Sequence, residues 1–258
     1  MNEYNNFQQN LAQKGWHKIP NAYTKDYIDS CKEKVKSIYS TYEEIQEKGG
    51  VLDKTRNSLH HICAFYPELV DYAFTLEVCS FLDNYFQGKF ILNSFGSTKL
   101  NPNGTTYTQK MHRDARDINS SKDMLNLIIL LDDSTSENGA TKMLEGSHLK
   151  DHTPTREYFD KNAINISGSA GDLIIFNPYA WHATGVNTSS NSRTIITPMV
   201  SRPFIKSGLD YVRTLGKDYF ESCPEKLKQL FGYNARIPAS LEEFYVPKHK
   251  RMYQNDQR

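Results

Sequence analysis

Gln109-Lys-Met-His-Arg-Asp114 is the stretch on which the reading of this chain turns. If the segment is extended, successive side chains alternate faces with a period of two. His112 and Asp114 then share one face, and Arg113 takes the other. Two ligand-type side chains on one face are two legs of a metal clamp. A His-x-Asp alone is a weak signal, because chance produces it often.

The third leg lies downstream. His182 stands in Phe176-Asn-Pro-Tyr-Ala-Trp-His-Ala-Thr-Gly-Val186, just past the apolar run Asp172-Leu-Ile-Ile-Phe176, which reads as a buried strand. Arg193 follows eleven residues later and opens the strand-like Arg-Thr-Ile-Ile-Thr-Pro-Met-Val200. Two histidines and one carboxylate, with coordination positions left open, form the ligand set of non-haem Fe(II) oxygenases. An arginine on the next strand can grip a carboxylate with its planar fork. The four residues together suggest iron with a keto-acid co-substrate.

Further out, the pattern predicts a mainly β core flanked by helices. Residues 90–100 read as a long strand bulged at Gly96, followed by an Asn-Pro-Asn-Gly turn. Residues 125–131, 141–144, 172–176 and 193–200 read as further strands, and short strands separated by Gly, Asn and Ser turns argue for a sandwich or double-sheet roll. Before residue 90 the signals are mostly helical. A short helix runs to Gly15, and Trp16-His-Lys-Ile-Pro20 is an edge strand. One long helix capped by Thr24 then carries Tyr27, Ile28, Cys31, Val35, Ile38 and Tyr42 at helical spacing. Residues 51–66 show no period and read as a loop, either over a site or on the surface. Residues 68–86 hold one or two short helices. After residue 203 the chain is helical and aromatic again. The expected organisation is a single domain over residues 1–258, with a helical part at 1–89, a core at about 90–203 and an extension at 204–258.

The chain resembles the phytanoyl-CoA dioxygenase-like branch of the Fe(II)/2-oxoglutarate-dependent oxygenases. The residues that carry this are His112-Arg-Asp114, Leu125-Asn-Leu-Ile-Ile-Leu-Leu-Asp-Asp133, Glu137-Asn-Gly-Ala-Thr-Lys-Met-Leu-Glu-Gly-Ser-His148, Gly171-Asp-Leu-Ile-Ile-Phe176 and Trp181-His-Ala-Thr184 through Arg193. The resemblance implies the double-stranded β-helix, or jelly roll, with His112, Asp114 and His182 as iron ligands. It implies that Arg193 binds the distal carboxylate of 2-oxoglutarate, that Thr184 adds a hydroxyl, and that the Asn126 amide donates to a keto-acid oxygen. The implied cofactors are Fe(II), 2-oxoglutarate and O2, with ascorbate helping to keep the iron reduced. Succinate and CO2 would leave as a substrate C–H is oxidised. Halogenating relatives replace the carboxylate by a small residue, so Asp114 favours hydroxylation or a related oxidation. Lys99, Tyr107, Arg116 and Trp181 lie near enough in sequence to the metal to contact substrate. His148 has no strand-borne arginine after it and is not the second iron histidine. The competing reading is a cupin-like binding protein or sensor that keeps the fold without the chemistry.

Composition bounds the rest. A formal net charge of +1, from 31 basic and 30 acidic residues, gives no sign of a nucleic-acid or membrane partner. Cys31, Cys63, Cys79 and Cys223 form no Cys-x-x-Cys pair, which argues against structural zinc and fits free thiols in a reducing cytoplasm. The polar first residues lack the apolar core of a signal peptide. The expected partner is a small polar metabolite, and nothing in the sequence decides between a monomer and a homo-oligomer.

Overall fold

The computed structural model describes residues 3–114, 122–251 and 257. Two antiparallel sheets face each other. The larger has the order β1 (Trp16–Ile19), β7 (Leu173–Phe176), β4 (Met124–Leu130), β9 (Arg193–Ser201), β3 (Ile91–Leu100), β2 (Ser58–Leu59). The smaller has the order β6 (Ile164–Ile166), β5 (Thr141–Met143), β8 (His182–Thr184). This is the double-sheet roll that the strand pattern predicts and the jelly-roll core that the resemblance implies.

The central strands are buried on both faces, and their alternation sorts the molecule into layers. In β4, Leu125, Leu127 and Ile129 join the cluster that the helices cover, while Ile128 and Leu130 pack into the space between the sheets. In β7, Leu173 and Ile175 face the helices, and Ile174 and Phe176 face the other sheet. The helical side belongs to α1 (Glu3–Gln13), α2 (Lys25–Ser37), α3 (Tyr39–Lys48), α5 (Glu68–Ala73), α6 (Leu76–Phe86) and the C-terminal α8 (Tyr211–Leu215), α9 (Lys217–Ser222) and α10 (Glu225–Leu230). Between α3 and α5 lies the single turn α4 (Leu52–Thr55), and α7 (Arg156–Asn162) precedes β6. Beyond α10, the single turn α11 (Leu241–Phe244) stands on the surface. Among the described residues no helix is long and apolar enough to cross a membrane.

Several local expectations change. The long helix after Thr24 is two helices, α2 and α3, parted at Ile38 (φ −101°, ψ −1°). Ser37 turns its hydroxyl back onto the Lys34 carbonyl, a side-chain bond of the kind that bends helices. The irregularity in β3 lies between Leu92 and Ser94, not at Gly96. Gly96 answers crowding instead, since a Cβ there would stand 2.9 Å from Thr197 Oγ1 and 3.0 Å from the Leu59 carbonyl. β1 is the edge strand expected at Trp16–Pro20, and the large sheet also recruits β2 from the part before residue 90. Residues 51–66 are therefore not a plain loop: β2 pairs with Thr98 and Ser97 of β3. From α3, Gln46 Nε2 donates to the Ser58 carbonyl (2.9 Å) and Tyr42 Oη to the His60 carbonyl (2.7 Å), which fixes this edge against the helices.

Candidate metal and cosubstrate site

The segment carrying His112 is not a strand. The 3-10 turn Tyr107–Gln109 precedes it, and His112 forms an isolated bridge to His182. Each backbone donates to the other, at 3.0 Å in both directions. The Asp114 amide donates to the Pro178 carbonyl at 3.1 Å. These bonds place the motif beside β8 and bring the three side chains together as the alternation argument requires. Arg113 goes the other way. Its Nη2 donates to the Ser147 carbonyl at 2.7 Å, and its guanidinium sits 5.0 Å from the Trp181 ring.

One ligand atom from each of His112, Asp114 and His182 falls within a cluster no wider than 4.8 Å. His112 Nε2 lies 3.4 Å from Asp114 Oδ1, and His182 Nε2 lies 3.4 Å from Asp114 Oδ2. Both Nδ1 atoms face carbonyls, Lys110 O at 2.6 Å and Ala180 O at 3.0 Å. A carbonyl only accepts, so each Nδ1 carries the proton and each Nε2 presents its lone pair inward. Burial would raise the Asp114 carboxyl, but the two imidazoles, which are charged only when Nε2 is also protonated, then outweigh it and hold it well below the usual carboxylate range. A converged anion with two neutral nitrogen donors suits a divalent first-row metal and could hold ferrous iron.

The cluster lies on the wall of a cavity of about 530 Å³ between the sheets. Thr184 lines it, opposite Thr141 in the small sheet, with its hydroxyl 2.8 Å from that of Thr108. Arg193 is 1% exposed and shares the inward face of β9 with Ile195 and Thr197, but it does not line the cavity. Nε donates to the Asn138 carbonyl at 3.2 Å and Nη2 to the Gly139 carbonyl at 2.7 Å. Buried Nη1 has no partner among the described residues. Loss of water around the guanidinium pulls its pKa down to about 10, with Asp132 working the other way. An unpaired, dehydrated cation fits the carboxylate of a keto acid.

Asn126 lines the cavity from mid-β4, and its Nδ2 donates to Asp114 Oδ2. Tyr107 lines the cavity too, with its hydroxyl 3.2 Å from His60 Nε2. Two proposed substrate contacts are corrected. Lys99 falls on the helical face of β3 and lies 5.7 Å from the Tyr39 ring, because Thr98 and Leu100 take the inward positions. Trp181 precedes His182 and faces the opposite side of the small sheet, against Leu144 and Phe159. Arg116 lies outside the described residues. His148 is remote from the metal cluster, with Nε2 3.2 Å from the Ala12 carbonyl.

His60, Thr108 and Thr141 were missed. Thr141 follows from its strand pairing with Thr184, and Thr108 from the 3-10 turn set against β8, neither of which the sequence states. His60 reaches the cavity because the next residue, His61, adopts a left-handed backbone (φ 58°) and turns its own ring to Tyr211, with Nδ1 2.7 Å from the hydroxyl. No local pattern announces that.

The sequence model of one family, Phytanoyl-CoA dioxygenase (PhyH), matches residues 22–195, a span that contains the metal cluster and Arg193. The chain belongs to the PhyH family. Among curated relatives, uncharacterized proteins of Mycobacterium tuberculosis and Mycobacterium bovis are each 33% identical over 174 residues, 67% of this chain and 63% of theirs. The chain thus spans a little under two thirds of their length. Among solved structures, AviO1 from Streptomyces viridochromogenes superposes with a TM-score of 0.63 at 18% identity, over 79% of this chain and 96% of AviO1. HygX from Streptomyces hygroscopicus, solved with nickel and 2-oxoglutarate bound, gives 0.61 at 12%, over 78% and 88%. SnoK, a non-heme alpha ketoglutarate dependent carbocyclase from nogalamycin biosynthesis, gives 0.58 at 17%, over 78% and 83%. At these identities the structures establish that this PhyH-family chain shares their fold.

Proposed function

We propose that the chain is an Fe(II)- and 2-oxoglutarate-dependent dioxygenase that hydroxylates a small molecule held in the cavity. The observation that carries this is the convergence of His112, Asp114 and His182 on the wall of a cavity whose sheet also buries the half-partnered Arg193. HygX, which shares the fold, binds nickel and 2-oxoglutarate, and this supports the same use of the site here.

When bound, the iron and keto acid supply O2 activation, with 2-oxoglutarate going to succinate and CO2 as one oxygen atom enters the substrate. The protein's own part is binding, orientation and exclusion of water. His112 and His182 offer neutral Nε2 donors, and Asp114 offers one negative charge. Arg193 would pair through Nη1 with the distal carboxylate, and Thr184 would add a hydroxyl donor from the facing sheet. Tyr107 and His60 form a hydrogen-bonded pair on the cavity wall, where they can meet polar groups of the substrate. Asp114 occupies the position that a halide would need, which favours oxygen insertion. A small polar metabolite suits a wall rich in Ser and Thr hydroxyls.

The test is a metabolite screen on the iron-loaded protein that scores substrate-stimulated succinate release, followed by mass spectrometry of the product. A gain of one oxygen atom supports the reading. Metal and ligand binding with no succinate from any condition would favour a binding protein built on the same fold.

A further inference from the structure

We propose that Asn126 is a positioning residue for the metal-binding carboxylate: from the middle of the large sheet its amide holds Asp114 in the orientation that completes the clamp. The inference rests on the metal reading above and adds a role that the sequence had assigned elsewhere, to the keto acid.

The three ligands are not held alike. His112 and His182 are fixed twice, by paired backbone bonds to each other and by Nδ1 bonds to the carbonyls of Lys110 and Ala180. Among the described residues Asp114 has one backbone bond, to Pro178, and it lies in no strand. Among the described residues, Asn126 Nδ2 is the side-chain donor to its carboxylate, since the two Nε2 atoms 3.4 Å away present lone pairs. The direction of this bond is forced. An ionised carboxylate only accepts, so the amide must present nitrogen, not oxygen. Asn126 is also well placed to be rigid. It is 4% exposed, and β4 is hydrogen-bonded on both sides, with Asn126 paired to Phe176 of β7 and to Met199 of β9. Carboxylate ligands of metals depend on such outer partners, and loss of one commonly weakens binding 10–100-fold. With Asn126 in place, each of the three ligands has a partner that sets its angle: a carbonyl, a carbonyl and an amide.

The test uses the full-length protein stripped of metal, with Co(II) as an oxidation-resistant probe titrated without keto acid. 2-Oxoglutarate is then titrated onto the Co(II)-saturated protein by calorimetry. Asn126→Leu removes the donor at similar volume. The expected result is a roughly 10–100-fold weaker Co(II) affinity, with 2-oxoglutarate affinity on the saturated protein unchanged. Co(II) affinity equal to the parent's would overturn the proposal, and a weakened keto acid with unchanged Co(II) would return Asn126 to the keto-acid role. If the leucine variant fails to give the parent's circular dichroism, Asn126→Ala is read by the same two titrations. A parent that binds no Co(II) would instead sink the metal reading itself.

Discussion

In the proposed function, burial makes Arg193 the receptor for the distal carboxylate of 2-oxoglutarate. Two of its nitrogens are spent on the Asn138 and Gly139 carbonyls, and the third is buried without an acceptor among the described residues. Cutting such a charge from its partner in a closed site costs on the order of 2–5 kcal/mol. Arg193→Lys keeps the charge and loses the fork, so the 2-oxoglutarate concentration for half-saturation should rise at least ~30-fold with metal content unchanged. A titration curve identical to the parent's would remove Arg193 from the role. His61 gives a prediction in pH. Burial, with help from the charge of His60, lowers its pKa from 6.5 to about 4. Between those values the unfolded chain takes up a proton that the folded chain refuses. Stability contributed by this residue is therefore full above pH 6.5 and is lost as pH falls towards 4. The urea midpoint of the parent should drop more steeply across that window than that of His61→Gln. Parallel slopes would show that the His61 ring is not kept neutral by its surroundings.

Strand geometry decided which sequence readings survived. The convergence of His112, Asp114 and His182 and the burial of Arg193 were legible because these residues sit at fixed offsets around strong apolar strands. Lys99 and Trp181 were misplaced because closeness in sequence says nothing about face: each stands next to an inward-facing neighbour, Thr98 or His182, and so points outward. The bulge in β3 and the break at Ile38 have no Gly or Pro to mark them, and β2 is too short to show a period. The connection after β4 carries a testable constraint. Gly139 has φ +82°, and an added Cβ would stand 2.9 Å from the Gly185 carbonyl. Gly139→Ala should cost roughly 1–3 kcal/mol. Because the Asn138 and Gly139 carbonyls steer Arg193, it should also weaken 2-oxoglutarate binding. Wild-type denaturation and keto-acid titration together would show the strain to be absent.

At the scale of the whole molecule, the jelly roll gathers residues 70 positions apart in the chain, His112 and His182, onto one cavity wall beside the small sheet, while the helices cover the outer face of the large sheet. The fold and the cofactors were readable because they depend on a few fixed side chains. The substrate was not, because the wall that meets it draws on β2 and on turns whose faces only the folded chain defines. In the proposed function Asp114 would set the reaction type: high chloride should yield no halogenated product, and a chlorinated product from the unaltered protein would overturn its place as a ligand. The most direct test of the account is iron counted per chain after anaerobic reconstitution, followed by succinate released on adding O2 and 2-oxoglutarate. The account predicts one iron per chain and O2-dependent succinate in the parent, with both lost in His112→Ala. Undiminished iron and turnover in that variant would contradict it.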